Sequence, residues 1–266
     1  MIKFAIYTTL LFFLLAGGGC YEPKTACLDL LATNYDVSSD EACDDCCVYP
    51  SFTIGLSHQW EDGNFILKDT FVNNVGDSFV VISQKFFLGN IEIGNAEGAV
   101  VPFISKNTYK WPDGNTRELI RDFKLVSGTL TEISINTFRE GGGISYLKFA
   151  AGPNPLFNGV DTLSLSTDSD LTTTAGMRTK ANNYLCYKAT IIAGAGLKDT
   201  LDIGFEGQWD FQKSFNPALP ITWGKVLKTQ LKIKYDQWFK DVDFDGINPL
   251  VISNAMKVNT SLAFEQ

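Results

Sequence analysis

The sequence predicts an all-β protein, an antiparallel β-sandwich preceded by a disulfide-closed segment. Three observations point there. From Phe52 onward, apolar runs of strand length, rich in Phe, Ile and Val, follow one another. Turn signals such as Asp62-Gly63-Asn64 and Asn73-Asn74-Val75-Gly76-Asp77 separate them. No long stretch repeats every 3.6 residues, apart from short helices expected near residues 249–256. Neither a repeat nor a linker divides residues 51–266, which read as one domain.

The chain begins like a targeting segment. Lys3 precedes an apolar run over residues 4–16, shorter than the roughly 20 residues a bilayer span needs. Gly17-Gly18-Gly19-Cys20 follows, small residues before a cysteine. That order suits lipoprotein processing, with residues 1–19 as signal peptide and Cys20 as the lipid attachment site. Ordinary signal cleavage is the rival reading. The expected location is an outer-membrane or cell-surface lipoprotein facing periplasm or exterior, its partner being the membrane through the N-terminal lipid. The net charge is −8 and the pI about 4.7, which makes nucleic acid an unsuitable partner.

Residues 20–50 form a cysteine-rich spacer. Cys27, Cys43, Cys46 and Cys47 cluster there, while Cys186 stands alone. In an exported protein four clustered cysteines imply two disulfides, with three connectivities open. A Cys46–Cys47 bridge is the most strained of them, and a four-thiolate zinc site is the rival chemistry. The order Cys27-Leu28-Asp29, Ala32-Thr33-Asn34-Tyr35-Asp36, Asp44-Asp45-Cys46-Cys47 and Tyr49-Pro50 resembles a cysteine-rich motif of bacterial surface proteins.

Within the domain, Phe52, Ile54, Leu56 and His58 share one face of a period-2 strand, so the chain's single histidine ends a core-facing row. Residues 79–83 and 85–93 continue as strands, and Pro102 marks an edge near residues 100–104. Residues 106–115 read as an exposed loop, and 118–125 as a strand or a short helix. Residues 130–137 alternate, 144–149 form the next strand, and Gly152-Pro153-Asn154-Pro155 breaks any regular element. Residues 184–193, 201–205 and 230–235 are strand-like, and 258–264 read as a closing strand.

Four groups of residues stand out together: Phe71-x-Asn73-x-x-Gly76 with Phe86-Phe87-Leu88-Gly89-Asn90; Tyr146 to Gly152 with Asn158; Met177 with Asn183-Tyr184-Leu185-Cys186-Tyr187-Lys188; and residues 259–264. Through them residues 52–264 resemble the MbnP-like family of periplasmic copper-binding β-sandwich proteins. The resemblance implies copper held by histidines, a tryptophan oxidised to kynurenine, and a di-haem oxidase as partner. This chain departs from that pattern in having one histidine. Soft metals take imidazole, thiolate and thioether ligands, so His58, Met177 and Cys186 are the available donors, with Trp60 beside His58 on the strand. The structural alternative leaves His58 and Trp60 half-buried at a strand end and Met177 and Cys186 in the core. A second metal candidate is Asp241-Val242-Asp243-Phe244-Asp245-Gly246. Asp241, Asp243 and Asp245 with Gly246 match the start of a calcium loop, but Ile252 stands where its bidentate glutamate belongs. A solvated turn is the alternative. No nucleophile elbow, His-Glu-x-x-His or phosphate loop occurs, so the sequence reads as a binding module rather than an enzyme.

Overall fold

The computed structural model describes residues 21–166, 169–172 and 176–265. The expected signal segment 1–19 and Cys20 lie outside them. β1 (Thr25–Ala26) and β2 (Glu41–Ala42) open the chain as a short parallel pair. Cys27 is bridged to Cys47, Cα–Cα 5.0 Å, and Cys43 is paired with Cys46 at 5.6 Å. The adjacent Cys46 and Cys47 thus go to different partners. The segment lies against the domain. The Asp29 carboxylate accepts the Tyr49 hydroxyl at 2.8 Å and pairs with Arg139 at 2.7 Å.

β3 (Ser51–Trp60), β4 (Gly63–Asn64) and β5 (Thr70–Val72) lead to the long β6 (Ser78–Asn95) and to β7 (Val100–Val101). Next come β8 (Lys106–Lys110), β9 (Thr116–Ile120), β10 (Lys124–Ser127), β11 (Glu132–Thr137) and β12 (Gly143–Ala151). Beyond an irregular stretch follow β13 (Tyr187–Ala193), β14 (Asp199–Phe205), β15 (Trp209–Pro220) and β16 (Leu227–Lys234). The one-turn helix α1 (Tyr235–Trp238), α2 (Pro249–Asn259) and β17 (Phe264–Glu265) complete the chain.

The larger sheet runs β14-β13-β6-β12-β15, with β5, β7 and β10 also pairing to β6. The smaller runs β11-β3-β16-β17, with β4 on β3. All pairs in both sheets are antiparallel except β3–β16. Those two strands are joined through the whole larger sheet, and so long a connection frees them from hairpin geometry.

Three expectations change. Residues 106–115 are a strand and its turn, closed by Trp111 N–H to the Asn115 carbonyl at 2.8 Å, and β8–β9 form a separate hairpin. Residues 118–125 divide between β9 and β10 and hold no helix. Near the C-terminus only Phe264–Glu265 is strand. The Asn248 side chain caps α2 by accepting from Leu250 and Val251 N–H, and Pro249 pre-sets the first turn. Helix therefore extends to Asn259.

Strand β6 sets the inside and the outside. Phe79 and Val81 face the smaller sheet. The register against β13 then shifts between Ser83 and Val81, leaving Ile82 as an inserted residue. A bulge of this kind reverses the alternation, so Gln84, Phe86 and Leu88 point inward. Phe87 faces outward into a second core with Phe123, Phe157, Met177 and Tyr184. Gly152, at φ +110°, donates its N–H to the Phe87 carbonyl, and a Cβ there would lie 2.2 Å from the Gly207 carbonyl oxygen. Glycine is required at that crossing.

Candidate functional site

His58 lies near the end of β3, 8% exposed, between the two sheets. Its Nε2 is 2.9 Å from the Leu130 carbonyl oxygen and its Nδ1 2.8 Å from the Tyr235 hydroxyl. A carbonyl can only accept, so the neutral ring carries its proton on Nε2. Nδ1 is then an acceptor, and the Tyr235 O–H donates to it. The Tyr235 oxygen in turn accepts from Gln84 Nε2 at 2.6 Å. Gln84 Oε1 accepts the Tyr187 hydroxyl at 3.1 Å. The result is a directed chain of donors, Tyr187 to Gln84 to Tyr235 to His58 to the Leu130 carbonyl. It crosses the core from β13 and β6 to α1, β3 and the turn before β11.

The electrostatics agree with that proton inventory. Burial holds the imidazole below the usual histidine range, and the bond to Leu130 acts against this. Burial pushes the Tyr235 and Tyr187 phenols up, which keeps both as donors. The Tyr235 ring also packs against Phe65, centroids 3.9 Å apart, and stacks near the imidazole at 5.8 Å.

The other expected metal donors are not gathered here. Trp60 packs into an aromatic group with Phe71 at 4.7 Å, Phe79 at 5.6 Å and Phe239 at 6.3 Å. Cys186 is fully buried in the core between the sheets. Burial drives its thiol far up, away from the thiolate a soft metal takes. Met177 belongs to the second core, on the opposite side of the larger sheet. His58 and Trp60 thus share a strand, but Met177 is separated from Cys186 by the sheet itself.

The acidic turn is tied to the loop between β5 and β6. Asp241 and Asn74 bond reciprocally: Asn74 Nδ2 donates to the carboxylate at 2.5 Å, and Asp241 N–H donates to Asn74 Oδ1 at 2.7 Å. Asp243 accepts from the N–H groups of Asp245 and Gly246. Phe244 N–H donates to Asp77, and Asn73 Nδ2 to the Val242 carbonyl. Val242 and Phe244 alternate inward, as in an ordinary buried segment. Among the described residues no group of three or more His, Cys, Asp or Glu side chains is arranged to hold a metal ion. Asp241, Asp243 and Asp245 are therefore not brought to one point.

The sequence reading did not anticipate Gln84, Tyr187 and Tyr235. Gln84 was hidden by the bulge at Ile82, since uninterrupted alternation from Phe79 and Val81 points it outward. Tyr235 directly follows an alternating strand, and its hydroxyl was the available signal.

No family model matches the chain, and no curated protein matches it. Among solved structures it is similar to MbnP from Methylosinus trichosporium, with 9% sequence identity and a TM-score of 0.46 over 73% of this chain and 78% of that one. So distant a superposition carries no argument about site or ligand.

Proposed function

We propose that the chain is an exported, lipid-anchored β-sandwich module that acts by recognition, with His58 serving the fold rather than copper. The observation that carries this reading is the occupation of both imidazole nitrogens, by Leu130 at 2.9 Å and Tyr235 at 2.8 Å. Coordination by Nδ1 would displace the Tyr235 hydroxyl and leave it buried without an acceptor. Coordination by Nε2 would remove the proton that satisfies Leu130. Either exchange exposes a buried polar group to a penalty of about 1–3 kcal/mol before any metal bond is made. The copper reading, with its di-haem oxidase partner and oxidised Trp60, depends on that exchange. The calcium reading depends on a rearrangement of the Asp241 turn.

Titration of Cu(I) and Cu(II) into wild type and His58→Gln tests the proposal. Glutamine can accept from Tyr235 and donate to Leu130, so it preserves the chain while removing the imidazole. Equal, weak binding by the two proteins is expected. Tight binding by wild type that the variant loses would restore the copper reading. Membrane fractionation of Cys20→Ser checks the anchor separately, with release to the soluble fraction as the expected result.

A further inference from the structure

We infer that the outer face of the smaller sheet is a docking surface for a linear acidic polysaccharide. Strand β16 alternates strictly, so Leu227, Thr229, Leu231 and Ile233 are buried while Lys228, Gln230 and Lys232 are exposed. Lys234 continues the outer row at half-exposure. Residues two apart on a strand stand about 6.6 Å from each other along it, which spaces the ammonium groups along a line. In register beside them on β3 are Thr53, Gly55, Ser57 and Gln59. Thr53, Gly55 and Ser57 have short side chains or none, and Gln230 lies flat over Gly55, where a Cβ would meet its amide at 2.3 Å. The face is therefore a shallow polar trough walled on one side by lysines.

Its charge opposes that of the protein. Lys228, Lys232, Lys234 and Lys213 of β15 stand here against Glu132 and Glu265, in a chain whose net charge is −8. Lys232 bonds Glu265 at 3.0 Å, and Lys234 and Lys213 act on the same carboxylate. Lys232 thus pairs with this anion, and Lys234 and Lys213 add to the positive field around it. Lys228 reaches Glu132 at 2.8 Å. All four partners in these two pairs are about half exposed. Exposed ion pairs contribute little to stability, so an incoming anion can replace them at little loss.

The shape and lining choose among polyanions. Folded protein partners are usually gripped by aromatic and apolar anchors at the centre of the contact, and this trough has none. Its centre offers the Ser57 hydroxyl and the amides of Gln59 and Gln230. Those groups suit sugar hydroxyls, while the lysine row suits carboxylates or sulfates repeated along the chain. The choice of a glycan rests on the exported reading given above. The soluble domain suffices for the assay, so a failed anchor and a failed docking surface are distinguishable.

The test is binding of purified protein to polygalacturonate at about 20 mM salt, with neutral dextran as control. Wild type should bind the acidic polymer and not dextran, and binding should weaken steeply at about 300 mM salt, where screening is strong. The triple variant Lys228→Gln, Lys232→Gln, Lys234→Gln should bind at least about tenfold more weakly. The charge-matched triple Lys106→Gln, Lys110→Gln, Lys198→Gln should stay within about twofold of wild type. Glu265→Gln should bind more tightly, because it removes the carboxylate that competes for these lysines. Circular dichroism and thermal melting establish that each variant is folded. No binding by wild type, an equal loss in both triples, or stronger capture by phosphatidylglycerol vesicles than by the polymer would each overturn the inference.

Discussion

Tyr235→Phe removes one oxygen atom from the centre of the molecule, and its effect can be worked from the structure. The ring remains, so its contacts with Phe65 and Trp238 are kept and no large cavity opens. Two hydrogen bonds go, those to His58 at 2.8 Å and from Gln84 at 2.6 Å. His58 Nδ1 is left as a buried acceptor with no donor. Gln84 keeps a long bond to the Gly128 carbonyl, 3.4 Å, and its amide loses the better partner. Leaving a buried polar group unsatisfied costs about 1–3 kcal/mol, so the variant should lose about 2–4 kcal/mol. Urea unfolding would show this as a fall in midpoint with the slope unchanged, the sign of lost stability rather than a changed unfolded state. Combining Tyr235→Phe with His58→Leu should cost less than the sum of the two single changes, since the second removes the acceptor stranded by the first. A single-variant loss under about 0.5 kcal/mol, or strict additivity in the double variant, would refute the directed chain.

Two titrations give further tests of opposite sign. His58 is held below the usual histidine range by burial, so as pH falls below about 6.5 the unfolded chain takes up a proton that the folded chain refuses. Stability should therefore decline on acidification through that range, by at most about 1.4 kcal/mol per pH unit. His58→Gln should flatten that slope in chemical denaturation between about pH 6.5 and 5, and an identical slope in the two proteins would contradict the assignment. Asp122 works the other way. Burial raises its carboxyl to about 6, so its contribution is complete below about pH 3.8 and is lost as pH rises through 6. Asp122→Asn should stabilise the protein by about 3 kcal/mol at pH 7 and far less at pH 4, as read by thermal melting.

The all-β fold was legible because local patterning decides it. Phe52, Ile54, Leu56 and His58 alternate inward as expected, and β16 keeps the same period throughout. What could not be read are the places where one residue changes the phase or where partners lie far apart in sequence. The bulge at Ile82 turns Gln84 into the core and Phe87 out of it. The second core exists because of that reversal, and it removes Met177 from the side on which Cys186 sits. The parallel pairing of β3 with β16 was equally hidden, since nothing in either strand states the direction of a neighbour so far along the chain. Helix α2 overran its expected end because its cap and first turn are strong, whereas the residues after it looked apolar enough for a strand.

The asparagines that carry the family resemblance serve the path of the chain. Asn73 accepts from the N–H groups of Val75 and Asp77 and donates to the Val242 carbonyl, closing one loop and fastening it to another. Asn90 takes the left-handed conformation, φ +48°, where the inward alternation of β6 moves from Leu88 to Ile91. Asn158 accepts from Tyr184 N–H across the second core. Asn259 donates to the carbonyls of Trp238 and Lys240, tying the end of α2 to the segment after α1. Asn73, Asn158 and Asn259 satisfy main-chain groups that a loop or an irregular junction would otherwise bury unpaired, and Asn90 tolerates the left-handed turn of the backbone. Residues with that work are demanded by the path of the chain, whatever the protein binds. A metal site makes a different demand, for donors with free lone pairs at one point. Here the imidazole lone pair is directed at Tyr235, the thiol is sealed in one core and the thioether in the other. Residues of the first kind fix how the chain runs, and a ligand has to be argued from side chains of the second kind.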